Sequence, residues 1–225
     1  MSKVVHPFAH RLGILRDWRH RWYAQGKQYQ EYLRADILLR EFLYRELRTM
    51  YIGGIELERG NGSLRVIIKT SRPGVIIGRS GEGSVKLKNK ITDFLNSKKA
   101  PVQEVKLDIE EIRSPESSAA IVAYMVAEGL EKRMPFRRVL KQTIEKAMAN
   151  RDVKGIRITL GGMLGGGSMS RVETLKKGRI PLQTFRSDID FYRERANLPL
   201  GVIGIKVWIY KGEVFADKQI KKDFK

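Results

Sequence analysis

The sequence predicts an α+β protein of two successive domains, the second a two-layer α/β arrangement of two helices on a four-stranded, mostly antiparallel sheet. Three observations lead there. Apolar residues recur at helical spacing in several stretches, and short alternating β-type runs separate and follow them. A composition of 42% hydrophobic and 31% charged residues over 225 positions belongs to a chain with cores rather than to a basic tail, and the length suffices for two of them.

The first 28 residues show no sustained period. They mix Arg11, Arg16, Arg19 and Arg21 with Trp18, Trp22 and Tyr23, which reads as an arm whose rings either stack on RNA or dock on the protein's own core. From Tyr29 to Met50, Leu33, Ile37, Leu39, Phe42, Leu43, Leu47 and Met50 mark an amphipathic helix. Strand-like runs at Ile55–Glu58 and Leu64–Lys69 flank Arg59-Gly60-Asn61-Gly62, a hairpin signal because the central turn positions need positive φ. A short apolar helical turn leads into Gly78-Arg79-Ser80-Gly81, and a helix with Val85, Leu87, Ile91, Phe94 and Leu95 follows. Turn residues end it at Asn96–Pro101, and Val105, Leu107 and Ile109 alternate as a strand.

In the second half, Ser114-Pro115-Glu116 is a capping residue before a proline, so a helix should start there and run to about Arg133. Another begins at Pro135, with Phe136, Val139, Leu140, Ile144 and Met148 as its buried stripe. Four strands are expected at Gly155–Leu160, Met169–Lys176, Gln183–Asp190 and Val202–Tyr210.

Charge narrows the function. There are 44 Lys+Arg against 25 Asp+Glu, a net +19 that makes a polyanion the first partner to consider. The surplus is uneven: residues 132–179 hold 13 basic and 3 acidic residues, more than half of the total. With no cysteine there is no disulfide framework, thiol nucleophile or thiolate zinc site. The lack of a run of about 18 apolar residues predicts a cytoplasmic chain with no membrane partner. The three histidines fall within the first 20 residues without companion carboxylates, so neither metal nor cofactor is expected.

Gly-x-x-Gly alone is a weak motif. Two strands before it and one strand after, with helices on either side, give the arrangement of a type II KH module, which clamps about four nucleotides of backbone. The glycine spacing of Gly78 to Gly83 does not suit a dinucleotide fold, and no Gly-Lys-Ser/Thr completes a P-loop.

Beyond that motif, residues 3–213 closely resemble the bacterial form of small-subunit ribosomal protein three, the S-three family. The resemblance rests on Arg11-Leu12-Gly13-Ile14, Arg16-Asp17-Trp18, Arg21-Trp22-Tyr23-Ala24, Ile76–Glu82, Met134–Lys141, Leu164-Gly165-Gly166, Gly178–Leu182, Arg186 with Asp188-Ile189-Asp190, and Gly201–Ile209. It implies an arm over 1–28, a KH domain over 29–112, a C-terminal ribosomal domain over 113–213 and a short basic tail over 214–225. It also implies a structural constituent of the small subunit that binds 16S-type rRNA in the head and lines the channel through which mRNA enters. The partners implied are rRNA, mRNA and head proteins ten and fourteen, with no homo-oligomer. In the family, the cations matching Arg137, Arg138 and Lys141 hold incoming mRNA and help unwind it. The KH turn, Gly78, Arg79, Ser80 and Gly81, is the second RNA site. Candidates for rRNA are Arg11, Arg16, Arg19, Arg21, Trp22, Lys154, Arg157, Arg171, Lys176, Lys177 and Arg179. His6, Ala9 and His10 replace the usual Asn, Gly and Phe, Met163 replaces a usual arginine, and Ser80 stands where lysine is common.

Two other readings fit parts of the sequence. Asp188 and Asp190 on one strand face could hold a divalent ion in a nuclease, although such a pair more often serves as a salt-bridge partner, here for Arg186 or Arg179. A freestanding KH regulator of RNA is the binding-module alternative.

Overall fold

The computed structural model describes residues 5–60, 62–98, 104–199 and 201–215. In chain order its elements are α1 (Pro7–His10), β1 (His20–Arg21), α2 (Gly26–Glu46), β2 (Ile52–Arg59), β3 (Ser63–Thr70), α3 (Pro73–Ile77), α4 (Glu82–Ser97), β4 (Glu104–Glu111), α5 (Ala119–Glu131), α6 (Phe136–Ala149), β5 (Gly155–Gly162), β6 (Arg171–Gly178), β7 (Ser187–Leu198) and β8 (Gly201–Glu213). They form two compact units. One holds Trp18–Arg113; the other joins the described residues through Asp17 to those from Ser114 onward. The expected arm is therefore divided between the units. Most of the expected basic tail, and Asn61 of the hairpin signal, lie outside the described residues.

In the Trp18–Arg113 unit the sheet order is β1-β2-β3-β4, with β2/β3 antiparallel and β3/β4 parallel. The hairpin register sets Ile55 opposite Ile68 and Leu57 opposite Val66. That face packs on Leu39, Leu43 and Leu47 from α2 and its end, Ile76 of α3, and Leu87, Ile91 and Leu95 of α4. This is the expected type II KH order. The sequence reading missed β1, whose two residues are too few to show a period; it exists by pairing parallel to Leu57 and Glu58. Trp22 is half-buried, and its ring lies 5.3 Å from Tyr29 and 5.9 Å from Tyr32, both on α2. Trp18 stays 65% exposed. Below these rings Arg59 and Asp36 form a buried ion pair, and the Arg59 guanidinium sits 4.6 Å from the Tyr32 ring centre.

His20 carries a pH dependence. Its Nδ1 is buried without a partner and its Nε2 lies 3.3 Å from Arg40. Burial, then Arg40 and Arg19, push its pKa below the ordinary 6.5 against the opposing pull of Asp36 and Glu56. The unfolded chain thus takes up the proton more readily than the folded one. The contribution of neutral His20 to stability is present above about pH 6.5 and is lost as pH falls through the lower folded value. Urea unfolding of the KH unit should show this decline, and His20→Gln should flatten it. An equal decline in the variant would assign it to other groups.

In the second unit the sheet order is β6-β5-β8-β7, antiparallel throughout. Ile156, Ile158 and Leu160 of β5 pair with Ile209, Val207 and Ile205 of β8 and bury against α5 and α6. Nine of the 13 residues of α5 are buried, and its small residues Ala119, Ala123 and Ala127 let it lie close to the sheet.

Two boundaries differ from expectation. Ser114-Pro115 opens only a 3-10 turn at Pro115–Ser117; α5 starts at Ala119, whose amide donates to Asp190 Oδ2 at 2.8 Å. The cap comes from a strand 71 residues away, so local signals could not locate it. The strand expected at Gln183–Asp190 instead runs Ser187–Leu198. Phe191-Tyr192-Arg193-Glu194-Arg195 lacks a clean apolar alternation, and pairing with β8 makes it a strand.

Among the described residues before Asp17, Arg11 makes the most hydrogen bonds to the C-terminal unit. Arg11 is completely buried. Its Nε donates to the carbonyl of Ser187, Nη1 to Pro7, and Nη2 to Leu182 and Thr184, with Pro181 at 3.5 Å. His10 stacks on Phe185 at 4.2 Å and His6 meets Phe191 edge-on at 4.9 Å. The two histidines that depart from the family pattern are thus docking contacts.

Candidate nucleic-acid interface

The KH turn is built by close backbone approach. After α3, Gly78 takes φ 71°, Ser80 φ 53° and Gly81 φ 84°, so the chain reverses within four residues before α4 begins at Glu82. A third glycine closes it: a Cβ on Gly83 would lie 2.5 Å from the Ile76 carbonyl oxygen and 2.8 Å from that of Ile77. Arg79 and Ser80 point outward, and the exposed Val75, Ile77 and Val85 give the turn apolar flanks. A backbone strand of nucleic acid can approach such a turn closely, with Arg79 as the turn's cation and bases against the apolar flanks.

The second cluster is on α6. Val139, Leu140, Thr143, Ile144 and Ala147 are buried, which turns Arg137, Arg138 and Lys141 outward as exposed cations. Among the described residues none of the three has an ion-pair partner. The structure adds Arg171, the first residue of β6. Arg137 and Arg171 lie 5.7 and 5.4 Å from the Phe136 ring centre, so a residue 34 positions away extends the α6 face. Arg171 was expected among rRNA contacts, and chain separation hid its neighbourhood.

The remaining candidates divide. Lys154, Lys176, Lys177 and Arg179 are exposed, and Arg157 is half-buried with its guanidinium 5.0 Å from the Trp208 ring centre. Arg21 is exposed and pairs with Glu58 at 3.2 Å, and Arg19 is partly buried. Two arginines in the arm are not free for phosphate. Arg11 spends its donors on protein carbonyls, and burial lowers its pKa despite Asp188. Arg16 bonds Asp188 at 2.7 Å and approaches Asp190 at 3.8 Å. Burial disfavours its charge, but the two carboxylates outweigh that and raise its pKa. Trp22 belongs to the α2 aromatic cluster described above.

The same geometry corrects the reading of the acidic pair. Its partner is Arg16, while Arg186 pairs with Glu213 at 2.7 Å. With Asp190 also capping α5, both carboxylates have structural work in place of the metal-holding role of the nuclease reading. Among the described residues, no group of three His, Asp or Glu side chains could hold a metal ion.

Comparison with known proteins agrees with both halves. The KH domain family matches residues 38–117, and the family described as ribosomal protein S3, C-terminal domain, matches residues 126–209. Over 223 residues the chain is 40% identical to small ribosomal subunit protein uS3 of Clostridium botulinum (strain Alaska E43 / Type E3), covering 99% of this chain and 98% of that protein. It is 42% identical over 219 residues to the uS3 proteins of Pseudomonas fluorescens (strain Pf0-1) and Pseudomonas aeruginosa (strain UCBPP-PA14), covering 97% of this chain and 93% of each.

The chain belongs to the uS3 family.

Membership of the uS3 family makes it a structural, non-enzymatic ribosomal protein with a KH RNA-binding domain. None of its described helices is long and apolar enough to cross a membrane. Sequence reasoning missed three cations, Arg193, Arg195 and Lys206, all exposed on β7 and β8. Their signal was the alternation of those strands, legible once β7 is known to extend to Leu198.

Proposed function

We propose that this chain is a constituent of the cytoplasmic small ribosomal subunit that binds 16S-type rRNA in the head and lines the channel through which mRNA enters, where it holds and helps unwind the message. The single observation that carries the mRNA role is the α6 face: Arg137, Arg138 and Lys141 are exposed together, without ion-pair partners among the described residues, and are extended by Arg171. Cations on phosphates bind without regard to sequence, as a channel accepting any message requires. The chain has no nucleotide-hydrolysing motif, so the work of strand separation comes from ribosome movement. The KH turn, the exposed cations Lys154, Lys176, Lys177 and Arg179, and the half-buried Arg157 are the proposed rRNA contacts, and Arg19 and Arg21 are proposed as well. Proteins ten and fourteen of the head are the proposed neighbours, and the chain acts as a single copy.

Alanine at Arg137, Arg138 and Lys141 removes exposed side chains only, so folding and incorporation into subunits should be unchanged. Ribosomes carrying the triple variant should unwind a hairpin in the incoming message at least severalfold more slowly. Equal unwinding by both ribosomes would sink the mRNA role. Absence of the wild-type chain from small subunits at moderate salt would sink the ribosomal reading and favour a freestanding KH regulator.

A further inference from the structure

The helices α5 and α6 cover one face of the C-terminal sheet; the other face is set by strand register. Arg157 stands opposite Lys176 on one side and Trp208 on the other, Lys206 stands opposite Arg193, and Arg195 stands opposite Gly204. Residues directly opposite in antiparallel strands share a face, so these five cations all project away from the helices. They form a diagonal stripe across β6, β5, β8 and β7, on a surface about 15 Å wide with rows about 7 Å apart. Lys176, Lys206, Arg193 and Arg195 are exposed. Of the carboxylates on these strands, Glu173, Asp190 and Glu194 pair with Leu160, Ile209 and Ile205 and so belong to the helix-covered face, while Asp188 and Glu213 lie at the end of β7 and β8 beyond the stripe and pair with Arg16 and Arg186. The stripe is free of acids.

A second observation points the same way. Arg157 Nε and Trp208 Nε1, both on this face, are buried donors with no acceptor among the described residues. The Arg157 guanidinium lies over the Trp208 ring, where an arriving oxygen acceptor could engage it. The centre of the face is small and polar: Gly161 and Gly204 leave it flat, and the hydroxyls of Thr159 and Thr174 bond each other at 3.0 Å. Sheets that read single-stranded bases present open aromatic rings. Here Trp208 is only 8% exposed beneath Arg157, and the Phe191 ring meets His6. The face offers charge without a stacking platform.

We infer that the face of the C-terminal sheet turned away from α5 and α6 is a docking surface for the sugar-phosphate backbone of double-helical RNA, with Arg193, Arg195 and Lys206 as its phosphate contacts beside Arg157 and Lys176. The inference deepens the rRNA-binding reading, on which it rests, by assigning a surface and an RNA shape. Helical RNA fits because its shallow groove displays phosphates and hydroxyls at regular spacing and asks nothing of the bases.

The test compares the full-length chain with its Arg193→Gln/Arg195→Gln/Lys206→Gln variant on two probes, a 20-base-pair RNA duplex of arbitrary sequence and a single-stranded uridine run. Duplex binding should weaken about ten- to hundredfold near 0.1 M salt, and the salt slope should fall by about 2–3, one phosphate contact per cation. Binding of the uridine run, which the KH turn serves, should change less than about threefold. Lys206→Gln alone, with a slope lower by about 1, reads the same effect should the triple variant fold poorly. Unchanged duplex affinity and slope overturn the inference. So does a variant that keeps duplex binding but loses its place in small subunits, since that makes the face a protein contact. Failure of the wild-type chain to join small subunits is a separate result, which strikes the ribosomal reading and leaves the duplex comparison intact.

Discussion

Replacing Arg11 by Met costs the C-terminal unit about 3–5 kcal/mol, a large share of the stability of any domain. The substitution fills similar volume but leaves the carbonyls of Pro7, Leu182, Thr184 and Ser187 without their shared donor. Arg11→Lys should restore little, because one ammonium cannot reach acceptors arranged around a planar fork. Hydrogen exchange reads the effect locally: amides of β7 and β8 should lose protection while those of β2 and β3 keep theirs, since Arg11 belongs to the first group's unit. Equal protection in variant and wild type would mean that the buried guanidinium is dispensable. The same reasoning predicts that a fragment beginning at Ser114 is destabilised to a similar degree.

Gly83→Ala is the second large effect. Its Cβ would meet the backbone oxygens of Ile76 and Ile77 at 2.5 and 2.8 Å, and backbone cannot swing aside as a side chain can. The end of α3 has to move away from α4, taking Gly78–Gly81 with it. The expected cost is about 2–3 kcal/mol, with single-stranded RNA binding weakened more than tenfold. Gly74→Ala is the control, because a Cβ there meets nothing within 4 Å and the turn should be undisturbed. If the two variants bind RNA alike, the turn does not depend on this close approach.

Both residues show where legibility ends. Arg11 and Gly83 are plain in the sequence, one as an arginine in a basic arm and the other as a glycine after a known turn. Read locally, Arg11 is a phosphate contact and Gly83 is only a spacing that excludes a dinucleotide fold. The structure makes the first a buried anchor and the second the wedge that lets two helices meet. Arg16, Asp188 and Asp190 behave alike: each suggests chemistry alone, and together they are one ion-paired cluster with a helix cap attached.

The sequence alone determined what depends on period and near neighbours. The apolar stripes of α2, α4 and α6, the alternation of β5 and β8, the paired glycines of the KH turn and the outward cations of α6 all follow from residues within a few positions of one another. The long run of family residues supplied the ribosomal assignment in the same way. Only tertiary structure decided where β7 ends, what caps α5, that Arg171 joins the α6 face, that the described residues through Asp17 pack with the C-terminal unit, and that five cations from four strands share one sheet face. Those outcomes depend on hydrogen bonds, register and burial between positions far apart in the chain, such as the 176 residues separating Arg11 from Ser187. A linear pattern carries no record of which distant partner will satisfy a donor, so the same arginine reads as a ligand contact until the fold shows the carbonyls around it.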